Sequence, residues 1–262
     1  MSQPKIVINP KFASLTEFVE NLPREFEKGG HTIYKIRNEI KYFDVDGVLV
    51  NVKRFCVPRI FFNRLAYKLI RKSKAQRAYE YALKLLSLDI DTPAPIAYII
   101  EGGPFLLGYS YFVSIQVPHT HSVEELRDTP IIDERVESLL RHIGRYTATL
   151  HTKGICHNDY GHGNILYQMV DGAPQFCLVD INRMYFGEVS FERGCNNFSK
   201  MEGTPETFDI IARSYAEARG FDPEKTSRKI IDCVQSFRER RKRRSRKLLK
   251  TIFGALVGIK RS

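Results

Sequence analysis

His157-Asn158-Asp159-Tyr160-Gly161-His162-Gly163-Asn164-Ile165-Leu166, followed by Cys177-Leu178-Val179-Asp180, is the stretch from which the fold is read. Its pattern is H-x-D-x-x-x-x-N, an apolar pair, a short hairpin, then an apolar run ending in Asp. Transfer of a phosphoryl group to a hydroxyl needs one Asp to accept the hydroxyl proton. It also needs an Asn five residues on and a second Asp to hold magnesium against the phosphates. Asp159, Asn164 and Asp180 fit those three roles. Ile165-Leu166-Tyr167 and Phe176-Cys177-Leu178-Val179 read as two short strands joined through Asp171-Gly172, a favoured hairpin turn. Such a hairpin would bring Asn164 and Asp180 to one end of adjacent strands, where one cation can bridge them. A bare H-x-D is common, with its Asp merely capping a turn. The Asn at the right offset, the hairpin and the second Asp argue against that reading here.

With 262 residues the chain is long enough for one large domain or two small lobes. At 43% hydrophobic and 11% aromatic it is globular rather than disordered. The five cysteines are odd in number and lack C-x-x-C or zinc-type spacing, which predicts reduced thiols in a cytosolic protein. No apolar segment reaches the roughly 18–20 residues of a membrane span, and Met1-Ser2-Gln3-Pro4-Lys5 does not open a signal peptide. The expectation is a soluble chain kept inside the cell. The net charge of +11 is concentrated at one end. Arg238 to Ser262 holds eleven Lys/Arg against one acid, Glu239, which leaves about +1 for residues 1–237. An anionic partner is therefore sought at the tail.

Toward the N-terminus, Ile6-Val7-Ile8 reads as a strand. A helix is predicted over 14–29, with Ser14 and Glu17 as a capping box and Gly29-Gly30 as its stop. Three β-rich runs follow, Thr32 to Arg37, Ile40 to Val45 and Val48 to Phe55, an antiparallel meander with tight turns. Residues 74–88 carry Ala78, Tyr81, Ala82, Leu85 and Leu86 on one helical side. Residues 58–72 insert an aromatic and basic stretch, Phe61-Phe62-Asn63-Arg64, readable as an amphipathic helix or a packing element. Glu124 to Lys153 is a long helical region, and Thr226 to Lys250 a second.

The chain resembles the protein-kinase-like superfamily, and within it the bacterial lipopolysaccharide core kinases, the Kdo/heptose kinase family. The stretches that carry the likeness are Val52-Lys53-Arg54-Phe55, Lys74-Ala75-Gln76-Arg77-Ala78-Tyr79-Glu80, Leu150 to Asp159, and Leu178-Val179-Asp180. It covers roughly residues 30–220 and is sparse between motifs. The resemblance implies a two-lobed α+β fold: residues 1–117 an antiparallel sheet lobe, 118–237 a helical lobe, 238–262 a basic tail. It implies that Lys53 contacts the α/β phosphates of ATP and is braced by Glu80. The plain alternatives are a solvated Lys53 and a Glu80 paired locally with Lys84. Backbone groups near Gln116 and Val117 would meet the adenine at the hinge. His119 and His121 suggest a hinge or loop rather than a metal pair. His157 would support the loop, and His162 could touch substrate.

Several positions depart from the family of protein kinases. The turn Arg37-Asn38-Glu39 has no glycine to cover phosphates, Asn158 stands where many have Arg, and Asp180-Ile181-Asn182 replaces Asp-Phe-Gly. Gly203-Thr204-Pro205-Glu206 is similar to Ala-Pro-Glu, a cheap coincidence. The implied activity is transfer of phosphate from ATP, with Mg²⁺, to the Kdo or heptose of lipopolysaccharide core, independent of loop phosphorylation. A soluble aminoglycoside- or choline-type kinase and an inactive membrane-bound scaffold are the alternatives. The tail, a basic block leading into Leu248 to Ile259, suits an anionic membrane surface. The competing readings are docking on the second lobe, or nucleic acid, which lacks a stacking or groove-reading motif and is not expected. The expected location is the cytoplasmic face of the inner membrane.

Overall fold

The structure, a computed structural model, describes residues 3–56, 72–102, 108–118, 121–126 and 133–259, with side chains as far as Arg246. The aromatic stretch at 61–64, His119 and the apolar side chains beyond Lys247 lie outside what it describes. The chain forms two compact units. The first comprises Met1–His121, Leu166–Met169 and Gln175–Met184; the second comprises Ser122–Ile165, Val170–Pro174 and Tyr185–Ser262. The first thus takes in more than residues 1–117, because most of both hairpin strands and the Asp180 segment group with the sheet.

The first unit is built on a six-stranded antiparallel sheet. Its strands are β1 (Lys5–Ile8), β2 (His31–Lys35), β3 (Glu39–Val45), β4 (Val48–Phe55), β5 (Pro95–Ile100) and β6 (Ser110–Ile115), in the order β1-β5-β6-β4-β3-β2. Asp46 and Gly47 both adopt positive φ, 52° and 80°, the backbone a two-residue turn between β3 and β4 demands. Helix α1 (Thr16–Lys28) lays Val19, Leu22 and Phe26 on Val50, Val52, Ile99, Tyr111 and Val113. Because side chains alternate along a strand, that packing turns Asn51 and Lys53 to the opposite face. Helix α2 (Lys74–Leu86) buries Ala75, Ala78, Tyr79, Ala82 and Leu85, and Tyr79 meets Tyr98 of β5 edge-on at 5.3 Å. The helix expected from Ser14 begins at Thr16. Residues Pro10–Leu15 form a 3₁₀ turn, opened by the Asn9 side chain accepting from the Lys11 N–H, with Phe12 off helical geometry. Ser14 lies inside that turn and cannot cap.

The second unit is helical: α3 (Glu134–Thr152), α4 (Phe191–Asn197), α5 (Pro205–Arg219) and α6 (Pro223–Ile259). Helix α3 meets α5 closely at Gly144, where a Cβ would stand 2.1 Å from the Ser214 hydroxyl and 2.4 Å from the Ile211 carbonyl oxygen. Thr204 caps α5 through a reciprocal bond with Thr207, Pro205 occupies the first turn, and Gly220 closes the helix at φ 67°. Gly203-Thr204-Pro205-Glu206 is thus a helix start. β7 (His121–Ser122) is a two-residue strand, and the short strands β8 (Ile155–His157) and β11 (Met184–Phe186) pair with each other. β9 (Ile165–Val170) and β10 (Ala173–Leu178) form the expected hairpin through Asp171 and Gly172, both at positive φ. None of the five cysteines is in a disulfide. No helix among the described residues is long and apolar enough to cross a membrane.

Within this unit His151, Phe198, Tyr160 and Tyr215 form an aromatic cluster, with His151 Nδ1 bonded to the Tyr215 hydroxyl at 2.9 Å. Burial, assisted by the Arg219 charge, pulls the His151 pKa down to about 3. In the unfolded chain it returns to about 6.5. Between those values the unfolded chain takes up a proton that the folded one refuses. The His151 contribution to stability is therefore complete above pH 6.5 and declines as pH falls below it. Between pH 6 and 5, unfolding free energy is expected to fall about 1.4 kcal/mol per unit more steeply in wild type than in His151→Gln. Equal slopes in urea titrations of the two would contradict this assignment.

Candidate active site

In the helical unit, β8 delivers the chain into the Asp159 loop. His157 is buried, and its Nδ1 accepts the Asp159 N–H at 3.1 Å, so it holds the loop and carries its own proton on Nε2. Tyr160 is fully buried and bonded to the Thr147 hydroxyl at 2.7 Å, which anchors the neighbour of Asp159 in the core. The Asn164 side-chain amide donates to the Asp159 carbonyl at 2.8 Å. That bond sets the amide and leaves its oxygen, the atom type a hard cation takes. His162 accepts the Glu202 N–H on Nδ1 at 2.9 Å and is buried, so it ties two segments together.

The Asp159 carboxylate has a partner that sequence reasoning missed. Lys200 Nζ lies 2.7 Å from Asp159 Oδ1 and donates equally closely to the Asn158 carbonyl. Both side chains are about one-third exposed, 33% and 35%, so the pair is reachable from solvent. Lys200 comes from the 3₁₀ turn after α4, and no local motif announces it.

In the sheet unit, Lys53 on β4 and Asp180, two residues past β10, are joined at 2.5 Å, although 127 residues separate them. Asp180 sits at φ 54°, a left-handed backbone that costs a non-glycine residue about 1–2 kcal/mol. The Asn182 amide holds its Oδ1 at 2.5 Å. The strand before it is pinned by the Leu178 N–H to the Asp91 carbonyl and by the Thr92 hydroxyl to the Leu178 carbonyl.

Glu80 does not brace Lys53. Its carboxylate takes two bonds from Lys72, at 2.8 and 2.9 Å, and one from Gln76 at 3.0 Å. Lys72 stands just ahead of the Ser73 cap of α2, from where its long side chain reaches down the first turns of the helix. Burial pushes the Glu80 carboxyl up, but the Lys72 and Gln76 bonds outweigh it and hold it below the usual range. At the end of β6, the Gln116 N–H is committed to the Leu49 carbonyl at 2.8 Å and its side chain accepts from Asn51 at 2.6 Å. That backbone donor therefore serves the sheet. Val117 accepts only a long contact, 3.4 Å, from the Gln116 amide.

A second cation stands near Lys53. The Lys53 and Lys74 ammonium groups lie 5.5 and 5.9 Å from the centre of the Phe55 ring. Burial lowers the Lys74 pKa, and the charges of Arg37, Arg183 and Arg77 lower it further. Arg37 belongs to the glycine-free turn between β2 and β3. Positive side chains are thus gathered on the unit that carries Asp180, a distribution suited to a polyphosphate. No group of three or more metal-ligating side chains occurs among the described residues. Magnesium bound with nucleotide needs one or two carboxylates plus phosphate oxygens; Asp180 of the sheet unit is a carboxylate of that type.

An antiparallel sheet bearing a lysine on its third meander strand, with a helical unit bearing an H-x-D-x-x-x-x-N loop, defines a kinase-like fold. A solved structure of WaaP in complex with acyl carrier protein superposes with a TM-score of 0.61, over 91% of this chain and 98% of that one, at 14% identity. Residues 42–188 match the model of the lipopolysaccharide kinase (Kdo/WaaP) family, and the chain belongs to that family. It is 24% identical over 157 residues to the 3-deoxy-D-manno-octulosonic acid kinase of Haemophilus influenzae (strain 86-028NP), covering 60% of this chain. The match spans 64% of that relative's length.

Lys53→Met is expected to weaken Mg-ATP binding about tenfold or more, since a bond to a charged group contributes about 1.5–3 kcal/mol. Glu80→Gln is expected to change it less than about threefold, because Glu80 serves Lys72. Calorimetric titration checks both, and equal losses would restore Glu80 as the brace of Lys53.

Proposed function

We propose that this protein is an ATP- and Mg²⁺-dependent kinase that phosphorylates a sugar hydroxyl, Kdo or heptose, of the lipopolysaccharide inner core. The observation that carries the reading is the Lys53–Asp180 pair. It joins the phosphate-binding type of lysine to the metal-binding type of aspartate across 127 residues. The Kdo kinase of Haemophilus influenzae supplies the acceptor class by likeness.

Mg-ATP supplies the phosphoryl group and the charge that must be neutralised. On the protein side, Asp159 receives the proton of the acceptor hydroxyl. Lys200, bonded to one oxygen of that carboxylate, orients it. Asn164 and Asp180 offer oxygen ligands to the metal, and Lys53 with Lys74 offsets phosphate charge. The filled set of Asp159, Asn164, Asp180 and Lys53 favours turnover over an inert scaffold.

The tail bears on location. Arg241 to Arg246 are exposed along a helix that continues to Ile259, and each basic residue near an anionic leaflet contributes about 1 kcal/mol. We place the protein at the cytoplasmic face of the inner membrane, held there by residues 238–262, rather than free in solution like a choline-type kinase.

The test is transfer of labelled γ-phosphate to a deacylated core sugar, read by mass spectrometry. Asp159→Asn is expected to lower the rate about 10²–10⁴-fold, the scale of a lost general base, with Mg-ATP still bound. Lys200→Met is expected to lower it too, with Mg-ATP affinity unchanged. Nucleotide binding without transfer to any Kdo or heptose acceptor would sink the proposal.

A further inference from the structure

Beside Asp159, wholly within the helical unit, lies an open recess of about 550 Å³ walled by the segment Ser199–Thr204 and by Phe237, Arg238 and Arg241 of α6. That volume falls in the range of small-ligand sites. Lys200, which touches Asp159, forms one wall. Arg238 donates to the Gly203 carbonyl at 2.8 Å, and Arg241 lies 3.5 Å from Glu202. Three cations against one carboxylate leave the lining positive. A second recess of about 390 Å³ shares Arg238 and Arg241 and adds Lys242, Ser245 and Arg246. None of its described lining residues is acidic.

Arg238 and Arg241, which line both recesses, and 242, 245 and 246, which line the second, fall at intervals of three and four and so share one face of α6. Like charges at such spacing repel by a few tenths of a kcal/mol per pair on an isolated helix. A stripe of this kind against a positive recess costs stability unless an anion joins it. Arg240, Arg243 and Arg244 fall outside the stripe, so the basic tail has two faces with different surroundings.

We propose that the Lys200–Arg238–Arg241 recess binds an anionic substituent, a carboxylate or a phosphate, of the acceptor sugar and thereby sets the acceptor hydroxyl at Asp159. The Lys242–Arg246 recess takes a second negative group of the same acceptor. This rests on the kinase reading above and narrows its substrate to acidic or phosphorylated core sugars. Arg238 and Arg241 are specificity residues, and the off-stripe arginines are left to the membrane surface.

The test titrates three probes into the full-length protein without nucleotide: free Kdo for the carboxylate, a phosphorylated heptose for the phosphate, and unsubstituted heptose as the neutral control. Wild type is expected to bind at least one anionic probe and to prefer it to heptose. The comparison of Kdo with phosphoheptose says which anion the recess takes. Arg238→Gln/Arg241→Gln is expected to weaken the preferred probe about tenfold or more, while Arg240→Gln/Arg244→Gln leaves it unchanged. Arg241→Gln alone, at a side chain 72% exposed, is expected to keep the wild-type melting temperature and move affinity in the same direction. Unaltered anionic-sugar affinity in the stripe variants overturns the proposal. So does a stripe variant that loses only binding to anionic vesicles or to an acidic carrier protein. Mg-ATP affinity, measured in parallel, separates the two readings. Its absence in wild type would sink the kinase assignment and leave the anion result standing.

Discussion

The ion pair of Lys53 and Asp180 is the constraint on which the sheet unit's chemistry depends. The lysine is placed by a meander whose other face is occupied by α1, which leaves the Lys53 face for charge. The aspartate is placed by a strand pinned to Asp91 and Thr92, on a left-handed backbone fixed by Asn182. With side chains 14% and 33% exposed, the two charges neutralise each other; in the proposed function Lys53 would exchange this partner for phosphate and Asp180 for a cation. The surrounding positive charge of Lys74, Arg37 and Arg183 suits an anion brought from outside.

The helical unit follows the same logic. Asp159 donates its N–H to the ring of buried His157, its neighbour Tyr160 is anchored in the core by the Thr147 hydroxyl, and its carboxylate pairs with Lys200. That lysine also walls the recess that α6 completes. The tail helix is thereby part of the unit's surface chemistry as well as a basic extension. One stripe of it faces a recess, and the rest faces elsewhere.

The sheet, the hairpin and the helical half were legible because each has a local cause. Asp46-Gly47 and Asp171-Gly172 supply the positive φ their turns require, and apolar periodicity marked α2 and α3. Phosphoryl-transfer chemistry was legible in the spacing of Asp159, Asn164 and Asp180, and the family in the resemblance carried by the stretches around Lys53, Glu80, Asp159 and Asp180. What was not legible depends on long side chains and long loops. Glu80 has the right offset from Lys53, but Lys72 sits closer along the chain and reaches it first. Lys200 is 41 residues past Asp159, and the turn that brings it back has no signature. Gln116 reads as a hinge residue, yet antiparallel pairing with β4 had already claimed its N–H.

The most direct measurement is calorimetric titration of ATP with and without Mg²⁺ into wild type and Asp180→Asn. If Lys53 and Asp180 are exchanged from each other to phosphate and metal, Mg²⁺ tightens ATP binding in wild type. The Asp180→Asn protein then loses that dependence while retaining metal-free affinity. An undiminished Mg²⁺ dependence in Asp180→Asn would contradict the account, because the metal would then be held without the residue on which the site is built.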